Sequence, residues 1–529
     1  MKRNMKLIYR SFCLIFLIQV WGGKVFSQQL ETVQFSTPKT LYFSGEKIWL
    51  EAEVRSGSDA SPSQLVYAEL VDDQSRSRAY VMLPLEQGKA TNYLTIPDNL
   101  PSANYLLRVY TRTSPYLSLD KGIAQQFVTV INPMVPPAPS KNKSEARRIL
   151  PKAEAQIQTA DQLQAILKNS SSGAQAVGVS IANPFLTGEQ EQIPSSIYTE
   201  LDSKPLLPEL FGHILEVKVP EPDTSKTYFI SVHGKQSSLY TAHPNAQGSM
   251  FVDIGGLKHW DKVILQLEDG SEMPGIEIIP PVVQTKFRAD FTFPELSLTK
   301  EDLVFLETWL KASRIETYFT ERYSTDSVQI VTGFVADYTY LLDDYTRFET
   351  VETVLKEYVP SVAVRSRDKK KEFRLIDMAK NMVFESNPLI LVDAMPVFDS
   401  NLLAIFNPKQ FQKLEILNRE FYLNDRTYPG VLSFSSYLNN FGLFPLADQA
   451  RFFDYLGQRP AVELKRDQFV RKISEAHVPD WRGVLWWNNS SSDLDQLEKP
   501  ALPGVYVLWK RVEDTSGKSK VIASYFQLD

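Results

Sequence analysis

From Gln29 to about Asn132 the apolar residues of this chain come in short runs cut by turn formers, and that rhythm limits the fold more than any other feature. Val33-Gln34-Phe35 leads into Leu41-Tyr42-Phe43, a Ser44-Gly45 turn, then Ile48-Trp49-Leu50 and Ala52 to Val54. Leu65 to Leu70, Ala79 to Leu83, Tyr93 to Ile96, Tyr105 to Tyr110 and Phe127 to Ile131 continue the series. Short strands at this spacing cannot bury a core singly, so they predict a β-sandwich. With 529 residues the chain has room for about three or four domains of roughly 150 residues. Its 43% apolar and 23% charged residues make it globular rather than disordered.

The first residues bear on compartment. Lys2, Arg3, Lys6 and Arg10 precede an apolar stretch, Phe12 to Trp21, and a tail ending Val25-Phe26-Ser27. That is the pattern of a secretory signal peptide over residues 1–27, cut at Ser27/Gln28. A membrane anchor needs roughly 20 apolar residues, about twice what is present. The single cysteine, Cys13, lies inside the apolar stretch and not at the cut, so it is badly placed for lipidation. Removing the five basic residues of the leader, and no acidic ones, takes the net charge from −6 to −11. The expected product is an exported, acidic, thiol-free chain without a spanning helix. It offers no disulfide framework or cysteine zinc site, and its charge argues against nucleic acid as a partner.

Further along, Pro133, Pro136, Pro137 and Pro139 with the polar residues after them read as a stiff linker over residues 133–154. Asp161 to Leu167 reads equally as helix or strand, and Val177 to Ile181 as a strand. Ile214 to Val219, Thr227 to Val232, Ser238 to Thr241, Met250 to Ile254 and Lys262 to Leu267 predict one or two more sandwiches within 155–285. They are similar to transthyretin-like carboxypeptidase regulatory modules. A change of class follows over 290–445. Thr299 with Asp302 makes a capping-box-like start, and Leu303, Leu306, Trp309 and Leu310 recur at helical spacing to about Tyr318. A second helix starts at Thr350, places Val351, Val354, Leu355 and Tyr358 on one face, and stops before Pro360. Val362 to Arg365 and Phe373 to Ile376 make a hairpin. Asn387 to Val397 is a buried strand and turn, Asn407-Pro408 opens a short helix, and Phe411 to Leu417 and Val431 to Tyr437 follow. Residues 446–529 suggest closing strands at Trp481 to Trp487, Pro503 to Trp509 and Val521 to Phe526.

Two segments carry resemblances. Thr37-Pro38-Lys39-Thr40-Leu41-Tyr42-Phe43-Ser44-Gly45-Glu46-Lys47-Ile48-Trp49 resembles the opening strand motif of the second macroglobulin domain of the α2-macroglobulin family, and Ile96 to Tyr105 looks like that domain's later hairpin, with Ala103 where glycine is usual. Asn387 to Val397, Phe411 to Leu417 and Val431 to Tyr437 resemble the plug domain of TonB-dependent outer-membrane receptors, with Ala394 at the turn glycine. Together they look like the composite macroglobulin/plug proteins of Bacteroidetes envelopes. The resemblance implies a mainly β, multidomain chain: macroglobulin-like β-sandwiches in tandem over 28–132 and 155–285, an α+β plug-like domain, and a C-terminal β segment. Fewer than a hundred residues follow Tyr437, whereas a large barrel uses about 22 strands of about ten residues. A plug without a barrel is therefore expected. Thioester trapping of proteases is excluded, because it needs a mature cysteine.

No catalytic constellation, cofactor motif or metal-ligand spacing stands out. The histidines, His213, His233, His243, His259 and His477, are scattered. Asp337 with Asp343-Asp344, and Asp493 with Asp495, lack the alternating register of a calcium loop and read as solvated. The basic run containing Arg365, Arg367, Lys369, Lys370, Lys371 and Arg374 reads either as a charged hairpin tip or as a contact for an acidic partner. Adjacent Trp486 and Trp487 must point to opposite faces of a strand, so one is expected to be exposed or covered by another domain. Trp486, Trp487, Lys369, Lys370 and Lys371 are thus the candidate partner-binding residues. The expected role is a non-catalytic exported scaffold or adaptor with protein partners, outer-membrane barrel proteins foremost. The alternative is a periplasmic or surface binder of protease, peptide or glycan that supports uptake.

Overall fold

The computed structural model describes residues 30–137, 152–171, 174–188, 190–320, 323–325, 334–367, 370–377, 380, 382–470, 479–513 and 519–529. The leader over 1–27, most of the linker, Lys369 and His477 lie outside them. The protein is mainly β and multidomain.

Glu31–Ser36, Lys47–Ser56, Asp59–Ala60 and Lys89–Thr95 form one sheet of the first sandwich. The other runs in the order Leu41–Phe43, Ile123–Ile131, Ala103–Tyr110, Leu65–Val71, Ser77–Pro84. Phe35, Leu50, Val54, Leu70, Leu83, Leu107 and Val128 fill the space between them. All seven residues of Leu65–Val71 are buried. Side chains alternate along a strand, so a fully buried strand needs cover on both faces. The second cover is the next module, whose core includes Tyr67, Met82, Tyr110 and Ile123 from the outer face of this sheet.

That second sandwich pairs Ser249–Asp253, Ile214–Lys218 and Glu277–Ile279 in one sheet. Ser238–Ala242, Tyr228–Gly234, Trp260–Leu267 and Arg451–Asp454 form the other. Beyond it, a mixed sheet runs in the order Tyr338–Leu341, Phe411–Leu417, Val431–Ser436, Leu389–Val392, Met395–Pro396. Helices Val351–Tyr358 and Ser400–Ile405 and the strands Val362–Arg367 and Lys370–Asp377 complete this α+β module. Thr350 Oγ1 accepts the Thr353 amide at 3.2 Å, and Asn407 Oδ1 accepts the Lys409 amide at 3.0 Å. Both local starts lie where the sequence places them, although the Pro408–Gln410 turn is a single 3₁₀ turn.

The remaining sheet corrects the expected boundaries. Its order is Ala155–Ile157, Ser519–Leu528, Gly504–Glu513, Ala176–Ile181, Val484–Trp487. Residues expected in the second sandwich region therefore share one sheet with the C-terminal strands. The ambiguous stretch is the helix Ala160–Ser171, which buries Leu163 and Leu167 in the same core. Helix Lys300–Thr320, expected with the plug-like segment, also packs here through Leu306, Trp309 and Ala312. Arg451–Asp454 is exchanged the other way, into the second sandwich. The reason is common to all three: periodicity reports which face of an element is apolar, but not which distant face it meets. Gly178 and Gly483 show how closely the pieces fit, since a Cβ on them would lie 2.5 Å and 1.9 Å from the rings of Trp509 and Trp309.

Candidate binding groove between the modules

Trp486 and Trp487 do point to opposite faces, yet both are buried within the chain, at 2% and 0% exposure. Trp486 enters the core that holds Trp309 and Tyr506. Trp487 lies against Trp49 of the first sandwich, and its Nε1–H donates to Ser36 Oγ at 3.3 Å. Neither offers a surface to a partner, because the chain's own first sandwich covers the outer ring. Lys371 is half-buried and donates to Glu352 at 2.9 Å, while Lys370 is exposed. Arg374 is buried and pairs with Glu372, so the basic run is not one continuous free patch. Asp343 is bound by Arg347 and Tyr437, Asp337 accepts the Asn418 amide at 3.1 Å, and Asp493 caps a 3₁₀ turn with Ser490. These carboxylates are spent on local structure. Among the described residues no group of three metal-ligating side chains occurs.

The contact of the first sandwich with the C-terminal module is sealed. Lys39, which belongs to the macroglobulin-like motif, is buried and pairs with Glu46 at 3.0 Å and Glu316 at 2.7 Å. Burial lowers the pKa of its ammonium, but Glu316 and Glu46 outweigh that and push it up to about 12. The ring of Trp309 lies 5.2 Å from the same charge. A second buried network joins the first sandwich to the second. Tyr67 donates to Glu209 at 2.7 Å, Glu209 meets His213 Nδ1 at 3.0 Å, and His213 Nε2 meets Tyr455 at 2.9 Å. Burial raises the Glu209 pKa, but His213, Arg112 and the Ile214 amide overcome it, and the carboxyl stays below its ordinary value. Both networks are closed to solvent, which fits clamps between modules better than chemistry on a substrate.

A groove of about 1150 Å³ lies where the two sandwiches and the α+β module converge. The first sandwich supplies Ser77 to Val81, Asn92, Tyr93 and Thr95, and the second supplies His233 to Lys235 and His259 to Lys262. The α+β module supplies Leu438 to Phe441, and the connecting segment supplies Phe452 and Leu456 to Pro460. That segment stitches the walls together: Gly457 N–H donates to Trp260 O at 2.9 Å, and Arg459 N–H to Met82 O at 3.0 Å. Asn92 Nδ2 donates to Pro460 O at 2.9 Å.

The loop Leu438 to Phe441 is held from below by the turn that follows the strand Leu389–Val392. Asp393 and Ala394 have φ of +48° and +67°, the left-handed region, which costs a non-glycine residue about 1 kcal/mol. The Asp393 carboxylate repays that locally: it accepts the amides of Ser436 and Phe441, both at 2.7 Å, and the Ser436 hydroxyl at 2.5 Å. Burial still lifts its pKa above the ordinary carboxylate value. From above, Asn439 Nδ2 donates to Gly234 O at 2.6 Å, and Phe441 meets the His233 ring edge-on at 4.6 Å. His233 is 1% exposed, and burial pulls its pKa down to about 3, so the ring is neutral near pH 7.

The groove is basic and partly apolar. Arg78 shares the single carboxylate of Asp72 with Arg76, each at 2.8 Å. Lys262 is matched by Asp261 at 2.7 Å. Arg459 lies 4.3 Å over the Tyr93 ring and donates to Thr95 Oγ1 at 3.2 Å. Among the described residues neither Arg459 nor Lys235 is paired with a carboxylate. At the mouth Leu438 is 78% exposed, Leu456 65% and Phe452 43%. Side chains of these types can desolvate an apolar partner surface and hold carboxylates at its border. The sequence contains no signal for this site, because its walls come from at least six separate segments with no motif among them.

No protein-family model matches the chain, and no curated protein matches it. Solved structures similar to it include Salmonella alpha-2-macroglobulin reacted with methylamine, at 11% identity and a TM-score of 0.16. The native conformation of E. coli alpha-2-macroglobulin is similar at 8% identity with the same TM-score of 0.16. Both alignments cover 94% of this chain, which spans 23% and 22% of those chains. A tetra-tandem repeat from the extending region of a large adhesion protein is similar at 9% identity and a TM-score of 0.14, covering 94% of this chain and 99% of that one. Superpositions this loose carry no argument about function.

Proposed function

We propose that this chain is a non-catalytic, exported scaffold or adaptor that holds protein partners at an outer-membrane protein complex. The observation that supports it is the open groove at the convergence of three modules, with exposed Leu438, Leu456 and Phe452 at its mouth. The contact of the first sandwich with the C-terminal module is closed by a buried ion cluster and tryptophans, whereas the groove leaves apolar surface without cover. The signal-peptide pattern supports export. The resemblance of Asn387 to Tyr437 to receptor plugs supports a position beside outer-membrane barrels, an argument from analogy of fold. Among the described residues no helix is long and apolar enough to cross a membrane, which agrees with peripheral attachment.

The test is affinity purification of the tagged full chain from gently solubilised envelopes, with co-purifying proteins identified by mass spectrometry. Barrel proteins in stoichiometric amounts are the expected result. Recovery of the chain alone, at unchanged yield and folding, overturns the stable adaptor role and leaves the binder of peptide, protease or glycan.

A further inference from the structure

We propose that the groove receives an acidic, extended polypeptide segment of a protein partner, which adds as a strand to the free edge of Ser77–Pro84. This rests on the adaptor reading and specifies how the partner is held.

The edge carries the first part of the argument. Ser77–Pro84 is the last strand of its sheet, and its inner side pairs with Leu65–Val71. Met82 lies opposite Tyr67, and its carbonyl accepts the Arg459 amide from the open side. Peptide groups alternate in direction along an edge strand, so Tyr80 also turns its N–H and C=O outward. Among the described residues, Met82 O is the one outward backbone group of Ser77 to Met82 with a backbone partner. Past Arg459 the connecting segment leaves this edge, as Pro460 O turns to the Asn92 side chain. The groove thus has an unpaired sheet edge as one wall, and an added strand satisfies it through main-chain hydrogen bonds.

Charge decides which strand. Arg78 lies on this edge, Arg459 is tied to it through Met82, and Lys235 lines the same groove; the chain as a whole carries a net charge of −6. Positive side chains on an open edge repel basic strands and penalise neutral ones by their own desolvation. A strand with carboxylates on one face removes that penalty. Its other face is left to meet Leu438, Phe452 and Leu456, exposed apolar side chains that line the same groove. The matching sequence therefore alternates acidic and apolar residues.

Fluorescence anisotropy on the full mature chain tests this with a labelled ten-residue peptide alternating glutamate and valine. Saturable binding is expected, weakening about tenfold when salt is raised to about 1 M, where the screening length falls to about 3 Å. The lysine–valine counterpart is expected not to bind. The glutamate–valine peptide N-methylated at alternate residues keeps its charge but loses one row of donors, and is expected to bind at least about tenfold more weakly. Lys235→Ala should weaken binding about fivefold at unchanged melting temperature, and Arg459→Ala should do so while the protein stays folded at the assay temperature. Equal binding of the N-methylated peptide overturns strand addition, and equal binding of the lysine peptide overturns the charge assignment. Absence of glutamate–valine binding, with barrel proteins still captured from envelopes, overturns the inference and leaves the adaptor reading in place. Failure of both removes both.

Discussion

The first sandwich meets the C-terminal module and the second sandwich in opposite ways. On one side Lys39 and Glu316 are buried and form an ion cluster with the partly buried Glu46, flanked by Trp309, while Trp487 and Trp49 share one buried cluster. On the other, beyond the Tyr67–Glu209–His213–Tyr455 network, the modules diverge and leave basic and apolar side chains in water. Buried ion pairs contribute little net stability, but removing one member leaves an uncompensated charge, so they fix geometry rather than add strength. Rigidity on one side and solvent access on the other is the arrangement a docking site requires.

Lys39→Met breaks the comparison most severely. It leaves the carboxylates of Glu46 and Glu316 buried without their cation, and is expected to cost about 3–5 kcal/mol in denaturant unfolding. A change near zero would show that water reaches the cluster and that the seal is not real. Lys39→Met with Glu316→Leu together should recover part of the loss.

Next in size is the response to acid at the groove wall. The pKa of His233 is depressed from its ordinary 6.5 to about 3 by burial, so the unfolded chain binds a proton that the folded chain refuses. Its contribution is therefore fully present above pH 6.5 and is lost as the pH falls toward about 3, at about 1.4 kcal/mol per unit. Unfolding followed from pH 7 to pH 5 should show a loss of about 2 kcal/mol, and His233→Gln should flatten that slope. An identical slope in the variant would place the acid sensitivity elsewhere.

Arg459→Ala sharpens the contrast from the open side. It removes a half-exposed guanidinium stacked on Tyr93 and should lower stability by only about 0.5–1 kcal/mol. A loss as large as that of Lys39→Met would make the groove wall part of the sealed core. The smallest effect is expected at Lys370, which is exposed on the hairpin: Lys370→Ala should change stability by less than about 0.5 kcal/mol and leave partner capture intact. Lost capture would return the docking site to the basic hairpin.

Local features were legible wherever the cause was local. Thr350 and Asn407 are caps because a side-chain oxygen meets an amide two or three residues on, a relation contained in the sequence. The short strands follow from alternation and turn residues in the same way. The reading failed where a residue's meaning depends on a distant partner. Trp486 and Trp487 alternate as expected, but their cover comes from Leu306 to Ala312 and from Trp49, far away in the chain. Lys371 looked like free charge until its neighbour proved to be Glu352.

The amino-acid sequence alone determined the mainly β class, the positions of most strands, the local helix starts and the single cysteine of the chain. These depend on side-chain chemistry and on spacings of two to four residues. Only the tertiary structure decided that Ala155–Ile157 and Ala176–Ile181 share a sheet with Val484–Trp487, Gly504–Glu513 and Ser519–Leu528, that Lys39 is a clamp, and that a groove is left where the modules converge. Strand pairing joins backbone groups common to every residue, so the choice among many compatible edges is made by the packing of whole modules and not by a local signal.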